Sequence, residues 1–392
     1  MSIRQTYKSL LYPIYIPSLF MGLSNQGMLI LYPLYALYLT NDPRFAAIVL
    51  ALRALGIILF ELPAAYLANR LGNKTMMIVA LCLSASTMFG LFIVSELYWI
   101  AFLAVPQGAA SAIWFLCRQS YISEFTPRDY WGRAVALMAG INRAGALFGP
   151  FLGGIAATMI GYQWTFFIGG ILILIAMIVL FTFAKHTALC SDQKHNSYKS
   201  VLVSLRQKKR IISLAGFIAV IIQLLRAARQ LLIPIFGTLI GLNAGSIGAI
   251  YALGSLIDMS MFYPMGIIVD KFGRKWSAGP SILFFILGLL LLPNAESTIA
   301  FCLVVCLLGF ANGLGTGILI IIGMDLAPKN QKNAFLGIWR LIGDFGGFAC
   351  PLIVGTFANT FGLVFISTLV SGVGGLALFS LIFLLPETKN YE

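Results

Sequence analysis

The chain has 392 residues, of which 60% are hydrophobic and only 10% charged, with a mean hydropathy of +0.93. That is far more apolar surface than a water-soluble core can enclose, so the bulk of the chain belongs in lipid. The net charge of +13 does not indicate a nucleic-acid module, because the basic residues are scattered at the ends of apolar stretches rather than gathered on a soluble domain.

A transmembrane helix needs roughly 20 mostly apolar residues. In chain order such stretches run over 10–39, 45–69, 76–95, 98–122, 132–160, 163–185, 210–240, 244–270, 277–295, 297–326, 333–358 and 362–386. The pattern predicts an all-α integral membrane protein of twelve spans. The first span is too long for a signal-peptide core and lacks a small-residue cleavage pattern, so it is expected to be retained. The six cysteines lie mostly inside apolar stretches without metal-ligand spacing, which suits small packing residues.

Of the 26 Lys and Arg, nineteen fall in the termini and in the alternate loops on the same side, and only Arg44 falls in the opposite loops. The positive-inside rule then predicts both termini in the cytoplasm of a cell-membrane protein. The one long polar segment, 186–209, holds His186 and His195 and is expected to be a cytoplasmic linker lying at the membrane surface. It divides a first six-helix bundle, 1–185, from a second, 210–392.

The two bundles are repeats. At a shift of 201 residues, Pro33 falls on Pro234, Pro63 on Pro264, Pro127 on Pro328 and Pro150 on Pro351. Four of the eight first-half prolines match, where chance gives about 0.3. The same register pairs Gly72 with Gly273, Lys74 with Lys275, Gly108 with Gly309 and Glu124 with Asp325. Six helices separate the copies, so both halves run the same way and are related by an axis along the membrane normal. Parallel repeats of this kind hold a solute near the midplane at the repeat interface.

The loop after the eighth span contains Asp270, Gly273, Arg274 and Lys275, and its first-half counterpart contains Asn69, Arg70, Gly72 and Lys74. Glycine permits the tight turn, and the basic residues face anionic headgroups. The fifth span carries Gly145, Gly149, Pro150, Gly153 and Gly154. Glycines four apart make a flat helix face, and the proline removes a backbone donor, a combination expected to suit a hinge. These two motifs resemble the signature loop and the antiporter motif of the major facilitator superfamily, in its drug and metabolite efflux branches. The resemblance covers essentially the whole chain. Two positions depart from it: Asn69 replaces an aspartate, and Ala104 stands where proton-coupled drug exporters usually carry arginine.

Charged groups in hydrocarbon cost from about 2.5 kcal/mol upward, so each is a functional candidate. Within the spans they are Glu61, Asp258 and Asp344, against Arg53, Arg118, Arg143, Arg226, Arg229 and Arg340. Arg118 is expected to reach toward Glu124. Arg226 and Arg229 lie near mid-span and favour a carboxylate-bearing solute, because guanidinium binds carboxylate bidentately; the alternative is that they bond helix carbonyls or the acids. The resemblance implies a cavity lined by the first, fourth, seventh and tenth spans, which offer Asn25, Gln26, Tyr32, Gln107, Trp114, Arg226, Arg229, Gln230 and Asn312. It also implies that Arg143 meets Asp258, and Glu61 meets Arg340, as gating pairs that open on protonation, with Arg53 and Asp344 in the same group.

The expectation is a monomeric secondary transporter in a lipid bilayer, coupled to protons, which exports or exchanges a small amphipathic or anionic metabolite. A polyspecific exporter of cationic drugs is the nearer alternative. A membrane-embedded lipid-modifying enzyme is the remoter one, since no catalytic cluster is visible. No nucleotide-binding motif is present, and no cofactor, metal or nucleic acid is implied.

Overall fold

A computed structural model describes residues 10–185, 209–328 and 332–388. Residues 186–208 of the expected linker, its two histidines among them, lie outside the described residues. Among those described, the chain is helical throughout, as lipid requires of a backbone that must satisfy its own hydrogen bonds. A π turn, Leu11–Tyr15, leads into α1, Ile16–Thr40. Then follow α2 (Pro43–Leu71), α3 (Asn73–Ile93), α4 (Leu97–Phe125), α5 (Arg128–Ile160) and α6 (Tyr162–Phe183). The later helices are α7 (Lys209–Leu239), α8 (Ala244–Phe272), α9 (Lys275–Leu291), α10 (Thr298–Leu314), α11 (Ile318–Leu326) and α12 (Lys332–Phe379).

Eleven helical stretches among the described residues are long and apolar enough to cross a membrane, against the twelve spans expected. The difference sits in the last one, Phe335–Leu384, which at 50 residues is long enough for two crossings. Inside α12, Gly362 has φ 79° and ψ 161°, outside the helical region. Its counterpart 201 residues earlier is Gly161, which separates α5 from α6 with φ 86°. The expected eleventh and twelfth spans are therefore present, joined at this glycine. The tenth span departs the other way. It is one apolar run in sequence but two helices in space, α10 and α11, broken at Gly315–Gly317 with Gly317 at φ 74°.

The chain groups into two compact units, Met1–Asp192 with Asn243–Ala252, and Gln193–Leu242 with Leu253–Glu392. In the first unit α2 packs along α4, α1 along α5, and α3 between α4 and α6. The α1–α5 contact uses the glycine face read from sequence. A methyl group at Gly149 would stand 2.6 Å from the Leu23 carbonyl oxygen and 2.8 Å from the Gly27 nitrogen, and one at Gly145 would stand 2.8 Å from the Gly22 carbonyl carbon. On the same helix Gly154 lies against the Ala244 carbonyl, and Thr158 Oγ1 accepts the Gly245 N–H at 2.8 Å. In the second unit α7 packs along α12, and α9 against α10 and α12.

Local chemistry sets the helix ends. Asp42 caps α2 by accepting the Arg44 N–H, Pro43 supplies the preset φ of the first turn, and Asn41 takes the left-handed conformation that ends α1. The repeat reappears as paired devices. Lys74 Nζ donates to the Phe181 and Ala184 carbonyls closing α6, and Lys275 Nζ donates to the Ile382 carbonyl, the counterpart of Phe181. Gly108 seats α4 on the Arg53 carbonyl, and Gly309 seats α10 on the Gly254 carbonyl; both pairs obey the same 201-residue shift.

Candidate functional site: two polar clusters in the helix bundles

The first unit holds a connected set of polar side chains among apolar helices. Gln107, fully buried on α4, accepts from Ser84 Oγ at 3.2 Å and from Thr87 Oγ1 through its Oε1. Its Nε2 donates to Asn25 Oδ1 on α1 at 2.9 Å. Ser111 Oγ lies 3.2 Å from the same Asn25 oxygen and 2.9 Å from the Gln107 carbonyl, so its single proton serves one of them at a time. Arg53 on α2 completes the set, with Nη2 donating to Ser111 Oγ at 3.4 Å. Four helices thus contribute to one cluster. Tyr32 and Trp114 are buried nearby on α1 and α4, and neither the Tyr32 hydroxyl nor the Trp114 indole N–H has a hydrogen-bond partner.

The second unit builds its cluster around the break in the tenth span. Asp258 on α8 accepts from Asn312 Nδ2 at 2.7 Å and from Thr316 Oγ1 at 3.3 Å. At the break the Ala311 and Gly315 carbonyls accept backbone N–H groups only at 3.4 Å, and side chains add shorter bonds. Arg226 Nη2 donates to the Gly315 carbonyl at 2.7 Å, Ser277 Oγ to Leu314 at 2.6 Å and Ser281 Oγ to Ala311 at 2.7 Å. Arg226 Nη1 also donates to Gln223 Oε1 at 3.1 Å. Arg229, one turn from Arg226, is buried, while Gln230 and Gln26 are half-buried.

Asn25, Gln107 and Arg53 come together as one group, and Asn312, Asp258 and Arg226 converge on one broken helix. Arg118, expected to reach toward Glu124, donates from its Nη1 to Asn142 Oδ1 at 3.0 Å, and Glu124 accepts from Asn73 at 3.4 Å. Arg340 pairs with Asp344 one turn away at 3.7 Å. Glu61 is buried, and Arg143 is half-buried.

The signature loops carry a contact that the sequence reading missed. Arg274 grips Asp325 bidentately, Nε to Oδ2 at 2.7 Å and Nη2 to Oδ1 at 3.0 Å. Glu387 accepts the Arg274 and Lys275 backbone N–H groups at 2.8 and 3.3 Å, capping α9, and Thr388 Oγ1 joins Asp325 at 3.1 Å. The bond to Asp325 raises the guanidinium's proton affinity above its ordinary value. The signal available in sequence was the Glu124–Asp325 match in the repeat, beside Asn73–Arg274. In the same loop Asp270 and, in the first half, Asn69 and Arg70 are exposed, with Arg70 lying over the Tyr66 ring at 4.6 Å. No group of three or more His, Cys, Asp or Glu among the described residues is placed to hold a metal ion.

The sequence profile of the Major Facilitator Superfamily matches residues 14–262 and 215–392. The multi-drug resistance efflux pump PmrA of Streptococcus pneumoniae is 26% identical over 330 residues, covering 81% of this chain and 80% of the pump. The multidrug resistance protein MdtG of Escherichia coli is 24% identical over 266 residues, covering 64% of this chain and 63% of that protein. Among solved structures, the D-xylose-proton symporter superposes with a TM-score of 0.79 at 14% identity, covering 99% of both chains.

Proposed function

The chain belongs to the major facilitator superfamily and is a multi-pass transporter rather than an enzyme; from that premise we propose that it exports or exchanges a small amphipathic or anionic solute by alternating access, driven by protons. The observation that carries the anionic preference is the excess of arginine within the spans, with Arg53 and Arg226 each joined to a polar cluster. Cations held in hydrocarbon cost stability and are kept where they meet a charge. Export rather than uptake is supported by the relatives, two of which carry efflux or drug-resistance names.

In this reading Asp258 and Glu61 take up the coupling proton. Asp258 accepts two hydrogen bonds across the break in the tenth span, and protonation removes an acceptor there and frees Asn312 and Thr316 to rearrange. The protein works as a monomer, with both termini in the cytoplasm. The same drug-resistance relatives favour a second reading, a polyspecific exporter of cationic drugs. Proteoliposomes with an imposed pH gradient, offered a panel of organic anions and cationic drugs, decide between them. Gradient-dependent flux of anions supports the first reading, flux of cations alone the second, and no gradient-dependent flux of any solute rejects both.

A further inference from the structure

Arg53 is the anomaly of the first unit. Its Nε is enclosed and has no hydrogen-bond partner, and its one contact, to Ser111 Oγ, is 3.4 Å long. A guanidinium offers five N–H donors, and charge-assisted bonds run at about 2.7–2.9 Å, so this group is far from satisfied. Among the described residues no carboxylate pairs with it; the Tyr32 hydroxyl, itself without a partner, is within electrostatic reach. Half-buried Asn25 and Ser111 stand beside it.

Packing does not require this arginine. Gly108 of α4 seats on the Arg53 carbonyl, and the repeat builds the same contact from Gly309 and Gly254. With glycine at the equivalent position, the helix contact forms from backbone alone. The first half therefore adds a long cation to a contact that closes without one, at a desolvation cost that packing does not return. Stability is given up in this way where a ligand later supplies the missing partner.

We propose that Arg53, with Ser111, Asn25 and the Tyr32 hydroxyl, is a binding subsite for a carboxylate or phosphate group of the transported solute. It rests on the transporter reading above and assigns that solute's anionic end to the first half of the chain. The anion takes the Nε and Nη2 donors side by side, the geometry a planar guanidinium offers. Ser111 and the Asn25 amide hold the remaining oxygen, and Tyr32 donates its hydroxyl.

The test uses the full-length protein in nanodiscs of zwitterionic lipid, so that no anionic headgroup competes. Benzoate, phenylacetate, glutamate, phenyl phosphate and glycerol 3-phosphate are titrated against their uncharged amides or alcohols, with tryptophan fluorescence and thermal stability as readouts. The expected result is binding of at least one anion but not its uncharged analogue, weakened roughly ten- to hundredfold by Arg53→Gln and less by Arg53→Lys or Ser111→Ala. Arg53→Gln without ligand should melt at the wild-type temperature or above it, whereas a structural arginine would give a lower melting temperature and no difference in anion affinity. The proposal is overturned if no anion binds the wild type, if Arg53→Gln binds as tightly, or if only added anionic lipid protects. Proton-driven efflux of ethidium and of the same anions is measured in parallel. Flux with an Arg53-independent anion affinity removes the subsite and leaves the transporter, while absence of all flux removes the transporter and leaves the binding result to judge Arg53 alone.

Discussion

Arg274 and Asn73 occupy equivalent places in the two signature loops, and each reaches the acid at the equivalent end of the following repeat helix. The arginine makes a bidentate bond to Asp325, with both side chains largely enclosed at 14% and 16% exposure, whereas the bond from Asn73 to Glu124 is exposed and 3.4 Å long. Removing one partner of an enclosed pair strands the other charge. Arg274→Ala should therefore cost about 2 kcal/mol or more, and Asn73→Ala about 0.5 kcal/mol or less, in melting measurements on the detergent-solubilised protein. Equal losses would reject the asymmetry. Asp42 gives a residue-scale test with a pH sign. The Arg44 side chain, then its backbone N–H, holds the carboxyl below its ordinary value of 3.8. A depressed pKa contributes stability that is complete above the unfolded value and lost as pH falls through the folded one. Asp42→Asn keeps a cap acceptor but removes the charge that Arg44 meets, so it should cost little, with the loss constant above about pH 5 and shrinking below about pH 4. A difference that grows on acidification would contradict it. Arg274 and Asp42 differ in legibility. Asp42-Pro43 reads locally as a cap, while the acceptors of Arg274 and its neighbours lie 51 and 113 residues away, beyond any local pattern.

At the scale of elements, hydrophobic length located the spans well and their interruptions poorly. The tenth span averages a hydropathy of 2.2 over its window, so nothing in its apolarity marks the break between α10 and α11. The signal was the alternation Gly313, Gly315 and Gly317, which supplies backbone freedom without lowering hydropathy. By contrast, the boundary expected between 358 and 362 is a break in the backbone as well, with Gly362 at φ 79° and ψ 161°, outside the helical region. Gly317 has φ 74°, where a side chain costs about 1–2 kcal/mol. Gly317→Ala should lower the melting temperature and slow transport, because the carbonyl that Arg226 holds belongs to this break. Wild-type stability and rate in that variant would show the break to be incidental. The glycine face of α5 allows the opposite kind of test. A methyl at Gly149 meets backbone 2.6 Å away, which cannot yield as a side chain can, so Gly149→Ala should separate α1 from α5 and cost about 1–3 kcal/mol. Gly140, with nothing within 4 Å, should accept alanine without loss.

For the molecule as a whole, the repeat is the feature from which most else follows. A duplication of six helices predicts that lysine caps, helix-seating glycines and interhelical turns recur at one shift, and Lys74/Lys275, Gly108/Gly309 and Gly161/Gly362 do so in space as well as in sequence. What the repeat does not copy is charge inside the spans: Arg53 corresponds to Gly254, and Asn25 to Arg226. Such departures are where a binding role is expected, since a packing device serves both halves alike while a binding group needs to appear only once. The same even number of helices fixes orientation. Six crossings return the chain to its starting side, so both halves are expected to enter the membrane in the same sense, with the loops flanking α2 at Asn41 and Gly72 opening to opposite sides. Basic residues concentrate on the side of Gly72 and Arg274 and are almost missing from the side of Asn41 and Ser297, so the positive-inside rule predicts that the basic side faces the cytoplasm. In intact cells, a cysteine-free background carrying a single cysteine at Asn41 or Ser297 should react with a membrane-impermeant maleimide. A cysteine at Asn73 or Trp276 should react only after the cells are opened. Labelling of Asn73 and Trp276 but not of Asn41 and Ser297 from outside would reverse the orientation and with it the side from which Asp258 takes its proton.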